Sequence, residues 1–341
     1  MRAGRFELEN PLALAPMCGV TDLPMRRLAR RHGAALCFTQ MISADGLLQG
    51  SEKTEELLAT DPGDRVLGVQ IFGGRPEFLA EAARRICGEW GAEWIDLNMG
   101  CPVKKVACHE AGSGLLKDLP LVARIWEAMR KALSGQNFSV KVRSGWDANS
   151  LVVDEIARMA DGCGLDAITL HPRTRAQGYS GEADWSLIGK LKALLPRTAV
   201  FGSGDLLSPE AGPAMMARTG ADGCYFARGA TGNPWIFSRA LALLEGRPDP
   251  GPPAPEERYS TIVGHLREMS AFYGEERAVK MFRTHLSGYL KGLPRAAEMR
   301  HRIFSLCSER EVAQALAAFL LPKSPDAFAA KEFGPAAFPA A

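Results

Sequence analysis

Long hydrophobic runs, C-x-x-C pairs and a strong net charge are all missing from this 341-residue chain. No window approaches the roughly 20 uncharged apolar residues that cross a membrane as a helix, so no membrane partner is expected. The opening residues Met1 to Asn10 carry Arg2, Arg5, Glu7 and Glu9 and no apolar stretch. A signal peptide is therefore not expected, and a cytoplasmic protein is. Net charge is only +2, so no global field announces a polyanionic partner, which must be met by a local patch. The eight cysteines form no C-x-x-C pair, which argues against a zinc ribbon, a thioredoxin-like site or any cysteine-built metal site. Their spread over a long chain argues against a disulfide framework. Apart from Cys101, they read as small buried hydrophobes.

What is present is 46% hydrophobic residues, sufficient for a large core. Short apolar runs recur at Leu12–Met17, Ala35–Met41, Val66–Phe72, Trp94–Asn98, Phe138–Val142, Ala167–His171, Ala199–Gly202 and Gly223–Ala227. Each is bounded by Gly, Pro, Asp or Asn, as buried parallel strands are. Helical periodicity fills the gaps at Pro76–Gly88, Leu119–Leu133, Asp154–Cys163 and Pro209–Thr219. Eight strands alternating with helices predict an α/β fold, a (β/α)₈ TIM barrel over residues 1–245, in preference to an open doubly wound sheet. A stiff Pro-rich linker follows at 246–255 (GRPDPGPPAP). Residues 256–321 carry helical patterns alone and predict a C-terminal helical domain. The Ala/Pro/Phe-rich tail 322–341 is expected to be disordered.

Barrel chemistry belongs at the C-terminal strand ends. There this chain places Met17, Gln40, Gln70, Asn98, Lys141 with Arg143, His171, Ser203 with Asp205, and Arg228. An apolar strand needs none of these for stability. The loops after the seventh and eighth strands, Gly202–Asp205 and Ala227–Gly232, are glycine-bearing and suit a phosphorylated cofactor or substrate. Lys141, between two valines, requires a partner: the electron-rich edge of a reduced flavin, or a barrel carboxylate such as Asp96. Gln70 and Asn98 donate and accept, which suits a flavin or pyrimidine edge. In Asn98-Met-Gly-Cys-Pro102 the turn presents Cys101 at the barrel mouth as a proton donor or nucleophile. Cys108, beside His109, reads as a bystander.

These residues carry a family resemblance. The segments Leu14-Ala-Pro-Met-Cys-Gly-Val-Thr-Asp22, Val69-Gln-Ile-Phe-Gly73, Asp96-Leu-Asn-Met-Gly-Cys-Pro102, Val140-Lys-Val-Arg-Ser-Gly-Trp146, Leu170-His-Pro-Arg-Thr174 and Ala227-Arg-Gly-Ala-Thr-Gly-Asn-Pro-Trp235 resemble bacterial tRNA-dihydrouridine synthases, most closely the B type. The resemblance implies a barrel that holds FMN, is recharged by NADPH and reduces the C5=C6 bond of uridines in tRNA. It implies that backbone atoms of Pro16, Met17 and Cys18 line the flavin, that Gln70 and Lys141 hydrogen-bond its ring, and that His171 supports it. Ser203, Gly204, Asp205, Ala227 and Arg228 would hold the phosphate end. Asn98 and Arg173, with Arg143, would face the uracil, and Cys101 would be the proton donor. Ser203, Ala227 and Cys18 depart from the usual Asn, Gly and Ala of the family.

A monomer is expected. The tRNA grip is expected on Arg258, Arg267, Arg277, Lys280, Arg283, Lys291, Arg295, Arg300 and Arg302, opposed by only four glutamates and interleaved with Tyr273, His285, Tyr289 and His301. Lys104 and Lys105 would assist. Rival readings are a dihydroorotate-type dehydrogenase of a free pyrimidine, a tRNA-binding protein without chemistry, and a flavin-free phosphate-binding barrel.

Overall fold

A computed structural model of the chain describes residues 1–103 and 110–321. Eight parallel strands form the centre: β1 (Leu12–Leu14), β2 (Leu36–Phe38), β3 (Leu67–Phe72), β4 (Trp94–Met99), β5 (Asn137–Arg143), β6 (Ala167–His171), β7 (Ala199–Gly202) and β8 (Gly223–Phe226). Each pairs with the next, and β8 pairs back onto β1 with Cys224 opposite Leu12, closing the cylinder. The eight apolar runs and the eight strands coincide, and the TIM barrel read from them is the observed fold. Helices lie at Pro76–Trp90, Leu119–Ala132, Val153–Cys163 and Ala211–Thr219 between strands, as the periodicity predicts. The second of these starts where the Asp118 carboxylate accepts from the Leu121 N–H at 2.9 Å.

Strand alternation decides what faces the barrel axis. On β5, Phe138, Val140 and Val142 point out into the layer shared with the helices. Ser139 points in, where it meets Trp94 and Asp96. The interior core is Ala13, Leu36, Phe38, Trp94, Ala167, Phe201 and Tyr225. An N-terminal hairpin (Arg2–Ala3 with Phe6–Glu7) closes the floor, Phe6 stacking on Trp94 at 5.5 Å. With the floor apolar and sealed, the polar inward positions are gathered at the opposite mouth.

The barrel's first helix is α1 (Leu23–Arg31). Residues 245–254 carry no helix or strand, and Arg239 grips Asp249 through two bonds of 2.8 and 2.5 Å. Four helices follow: α2 (Pro255–Tyr273), α3 (Glu275–Tyr289), α4 (Ala296–Ile303) and α5 (Glu309–Leu320). Their buried residues, Leu266, Phe282 and Leu316 among them, continue the barrel's outer core. Arg31 reaches Glu268 of α2 at 2.7 Å, and Arg277 of α3 holds Glu56 through two 2.6 Å bonds. Closest of all, Gly288 of α3 lies on the loop after β8. A Cβ there would overlap the Thr231 carbonyl oxygen, and one on Gly232 (φ +62°) would overlap that of His285.

His285 and Tyr289 are corrected from surface to core: both are 0% exposed. With Phe282 and Leu286 they occupy the i, i+3, i+4, i+7 stripe of α3, the face a helix buries. His265 is equally buried, its ring 4.6 Å from that of His285 and its Nδ1 2.9 Å from the Tyr289 hydroxyl. Burial pulls His285 down to about 4 and drives His265 well below its ordinary value. The folded chain keeps both rings neutral, whereas the unfolded chain protonates them below about pH 6.5. Their contribution is therefore intact above pH 6.5 and is lost as the pH falls. For His285 the loss is on the order of 3 kcal/mol between pH 6.5 and 4. Denaturant midpoints at about pH 7.5 and pH 5 should differ strongly in the native chain and less in His285→Leu; equal differences would refute this source of acid lability.

Candidate active site

The mouth holds a solvent-open cleft of about 110 Å³, lined by Pro16, Met17, Lys141, His171, Ser203, Gly204, Asp205, Ala227 and Arg228. An inward position of β5 supplies Lys141 and the final inward position of β6 His171, while β1, β7 and β8 run on into Met17, Ser203 and Ala227.

The sequence offered Lys141 a flavin edge or the Asp96 carboxylate as partner. Asp96 is fully buried and already accepts from Gln70 Nε2 at 2.7 Å and from Ser139 Oγ at 2.5 Å. Burial raises the Asp96 carboxyl to about 6, against Gln70, Ser139 and Lys141. Within the described residues Lys141 forms no ion pair with it. Loss of surrounding water, then the Arg143 charge, lowers Lys141 to about 8, opposed by Asp96 and Cys101. At neutral pH the cleft floor therefore carries an ammonium that, among the described residues, has no ion-pair partner. His171 is 8% exposed and its Nε2 has no hydrogen-bond partner. Burial, then Lys141 and three arginines, lower it to about 2, so the ring is neutral.

The phosphate-type loops are built around Asp205. Arg173 holds it through Nη1 at 2.8 Å and Nη2 at 2.7 Å, the Ala183 N–H adds 2.8 Å, and Arg228 touches it at 3.2 Å. Burial opposes ionisation of this carboxyl, but those donors outweigh it and its pKa falls below the usual range. Gly204 must be glycine: its φ is +103°, and a Cβ would stand 2.9 Å from Ala183, 3.0 Å from His171 and 3.2 Å from Pro172. Arg228 is the less committed arginine, its side chain 45% exposed.

Cys101 sits on a turn fixed at both ends. Asn98 Oδ1 accepts from the N–H groups of Gly100 (3.1 Å) and Cys101 (3.0 Å). The Cys101 carbonyl accepts from Ser113 N–H (3.1 Å) and Oγ (2.8 Å), and Gly100 O from Arg143 Nε (2.9 Å). Asn98 Nδ2 donates to Gln70 Oε1 at 2.8 Å, so one hydrogen-bond chain runs from the Cys101 turn through Asn98, Gln70, Asp96 and Ser139 to Trp94. Cys101 is half-buried.

Of the residues named from sequence, those on Pro16, Met17, β5–β8 and the two loops share the cleft, while Gln70, Asn98 and Cys101 form the turn and its support. Arg143 and Arg173 are both 2% exposed and donate to the chain: Arg143 to Gly100, Thr174 and Gly178, Arg173 to Asp205, Ser180 and Gly181. Cys18 and Cys307 are exposed, correcting their reading as buried hydrophobes; both stand in loops and not in strands. Sequence reasoning missed Tyr225 and Tyr179 in the cleft. Strand alternation on β8 was enough to find Tyr225. Tyr179, 58% exposed and 4.3 Å below the Arg228 guanidinium, lies on an irregular loop that offers no periodicity. Lys104, Lys105, Cys108, His109 and the 322–341 tail lie outside the described residues.

On the C-terminal helices, Arg267, Arg277, Lys280 and Arg295 are paired with glutamates. Arg258 donates to Tyr289 O at 2.7 Å. Among the described residues no group of three metal-ligating side chains occurs, and no helix is long and apolar enough to cross a membrane.

The dihydrouridine synthase (Dus) profile matches residues 13–323. A Pseudomonas aeruginosa protein named tRNA-dihydrouridine synthase B is 42% identical over 301 residues, 88% of this chain and 90% of that one. A Pasteurella multocida protein of the same name is 36% identical over 319 residues, 94% and 95% of the two chains. Among solved structures, histamine dehydrogenase from Rhizobium sp. 4-9 shares the fold with a TM-score of 0.55 at 16% identity; the similarity covers 78% of this chain and only 50% of that longer one.

Proposed function

Since this chain belongs to the dihydrouridine synthase family, we propose that it reduces the C5=C6 bond of uridines in tRNA, with FMN as resident cofactor and NADPH as reductant. One juxtaposition carries the reading. Among the described residues, an ammonium without an ion pair (Lys141) and an imidazole nitrogen without a hydrogen bond (His171 Nε2) line a cleft between two glycine-bearing loops, beside a thiol on a fixed turn.

That donor set fits FMN. Lys141 and the remaining amide hydrogen of Gln70 would bond the ring, Pro16, Met17 and Cys18 would line it, and His171 would support it. Ser203, Gly204, Ala227 and Arg228 would hold the phosphate. Asp205 would act by neutralising and aiming arginines, since a bare carboxylate beside a phosphate repels it. FMN, when bound, supplies the hydride that uracil C6 receives.

Everything else falls to the protein. The uridine must leave its stack to enter a barrel mouth, a cost lowest for a loop nucleotide. As negative charge develops on C5 and O4 of the uracil, Cys101 Sγ gives its proton to C5. Asn98 fixes the turn that aims Sγ and keeps an amide hydrogen for the base. Arg143 and Arg173 act by holding the Cys101 turn and Asp205, since their guanidinium groups already donate to the chain.

The purified protein should be yellow and should bleach under NADPH. Mass mapping of tRNA from cells lacking the gene should show uridine in place of dihydrouridine at defined positions. Turnover of free orotate with unaltered tRNA would instead favour the dihydroorotate-type reading, and a colourless preparation would defeat both.

A further inference from the structure

The rim beside the Cys101 turn carries two cations that the chemistry above leaves idle. Lys117 ends the 3₁₀ helix Gly112–Lys117, whose Ser113 holds the Cys101 carbonyl. Arg175 follows β6, two residues beyond Arg173. Both lie over one ring: Lys117 Nζ is 3.8 Å, and the Arg175 guanidinium carbon 4.6 Å, from the centre of Trp146. The loops bearing Trp146 and Arg175 are bonded backbone to backbone, Arg175 N–H to Gly145 O and Ala176 N–H to Trp146 O, each at 2.9 Å. Arg143 joins the same loop to the Cys101 turn, donating to both Gly100 O and Thr174 O.

Among the described residues neither cation has a carboxylate within ion-pair reach, and Arg175 Nε lacks any hydrogen-bond partner. Two like charges drawn onto one indole repel each other, a loss the ring's attraction offsets only in part. Such an arrangement gains from anionic groups that meet the two cations. Its side chains are already ordered, so less freedom is lost on binding. The cations cover the indole, which favours a phosphodiester over a stacked base.

We propose that Lys117 and Arg175, anchored on Trp146, form a clamp for the RNA phosphates flanking the uridine that enters the mouth. The clamp rests on the tRNA reading above and adds to it a defined backbone contact on the barrel itself, apart from the helical domain.

Binding of tRNA to the flavin-loaded protein, titrated across a salt series, tests it. For single-stranded segments each phosphate neutralised contributes about 0.7 to the log–log salt slope. Lys117→Ala should lower the slope by about 0.7, and Lys117→Ala with Arg175→Ala by about 1.4, with affinity down about tenfold at low salt and converging with the native protein at high salt. Lys117→Arg should keep the native slope. Because Lys117 is exposed, its alanine variant keeps the fold, which bound flavin per chain verifies. A native slope in Lys117→Ala, while the native protein binds tRNA and forms dihydrouridine, would overturn the clamp alone. A native protein that does not bind tRNA would overturn the clamp together with the reading beneath it.

Discussion

Cys101→Ala should slow dihydrouridine formation by about 10²- to 10⁴-fold, the usual contribution of a positioned acid, with flavin content unchanged. The sulfur is held by backbone bonds on either side of it and not by its own contacts, so its removal leaves the turn and the cleft intact. Reduction of the flavin by NADPH should persist in the variant, since no uracil is involved, and the lost step should appear only when tRNA is added. Cys101→Ser should recover little, because an alcohol is a far weaker acid than a thiol. Native turnover in Cys101→Ala would transfer the proton donor's role elsewhere and end this assignment.

Lys141→Met should have opposite effects on two measurements. Flavin affinity should fall about 10- to 150-fold, the loss of a charge-assisted hydrogen bond. Thermal stability of the flavin-free protein should hold or rise, because the substitution removes a partly desolvated ammonium that lacks a counter-ion and keeps the aliphatic packing. A lysine required for folding would give the reverse pattern, unstable protein with unaltered flavin affinity in whatever survives. The native charge also ties flavin affinity to pH: the ammonium is present below about 8 and disappears above it.

Lys141 was legible in the sequence because one charged residue between two valines on a strand of a closed barrel must face the axis. The Cys101 turn was legible because Gly100 and Pro102 bracket the thiol. The Asp205 cluster was legible only as a list of residues. Arg173 and Asp205 lie 32 positions apart and meet because β6 and β7 are adjacent, a relation that local pattern does not contain. Hence Arg173 reads from sequence as a free guanidinium, whereas the fold engages all its nitrogens. The C-terminal helices mislead in another way. His285 and Tyr289 are polar in isolation, and polarity suggested surface, while their spacing with Phe282 and Leu286 already marked the buried stripe. Spacing outranks residue type where a helix has only one apolar face.

The glycine-on-glycine seam between the loop after β8 and α3 has a consequence for modularity. Neither side of it can be swapped alone. A chimera that took its terminal helices from a cousin bearing alanine at 288 would wedge apart the very turn that leads out of the cleft wall at Ala227 and Arg228. Loop and helix are thus inherited as a matched cassette, and the outer appendage is, at that seam, a wall of the inner vessel.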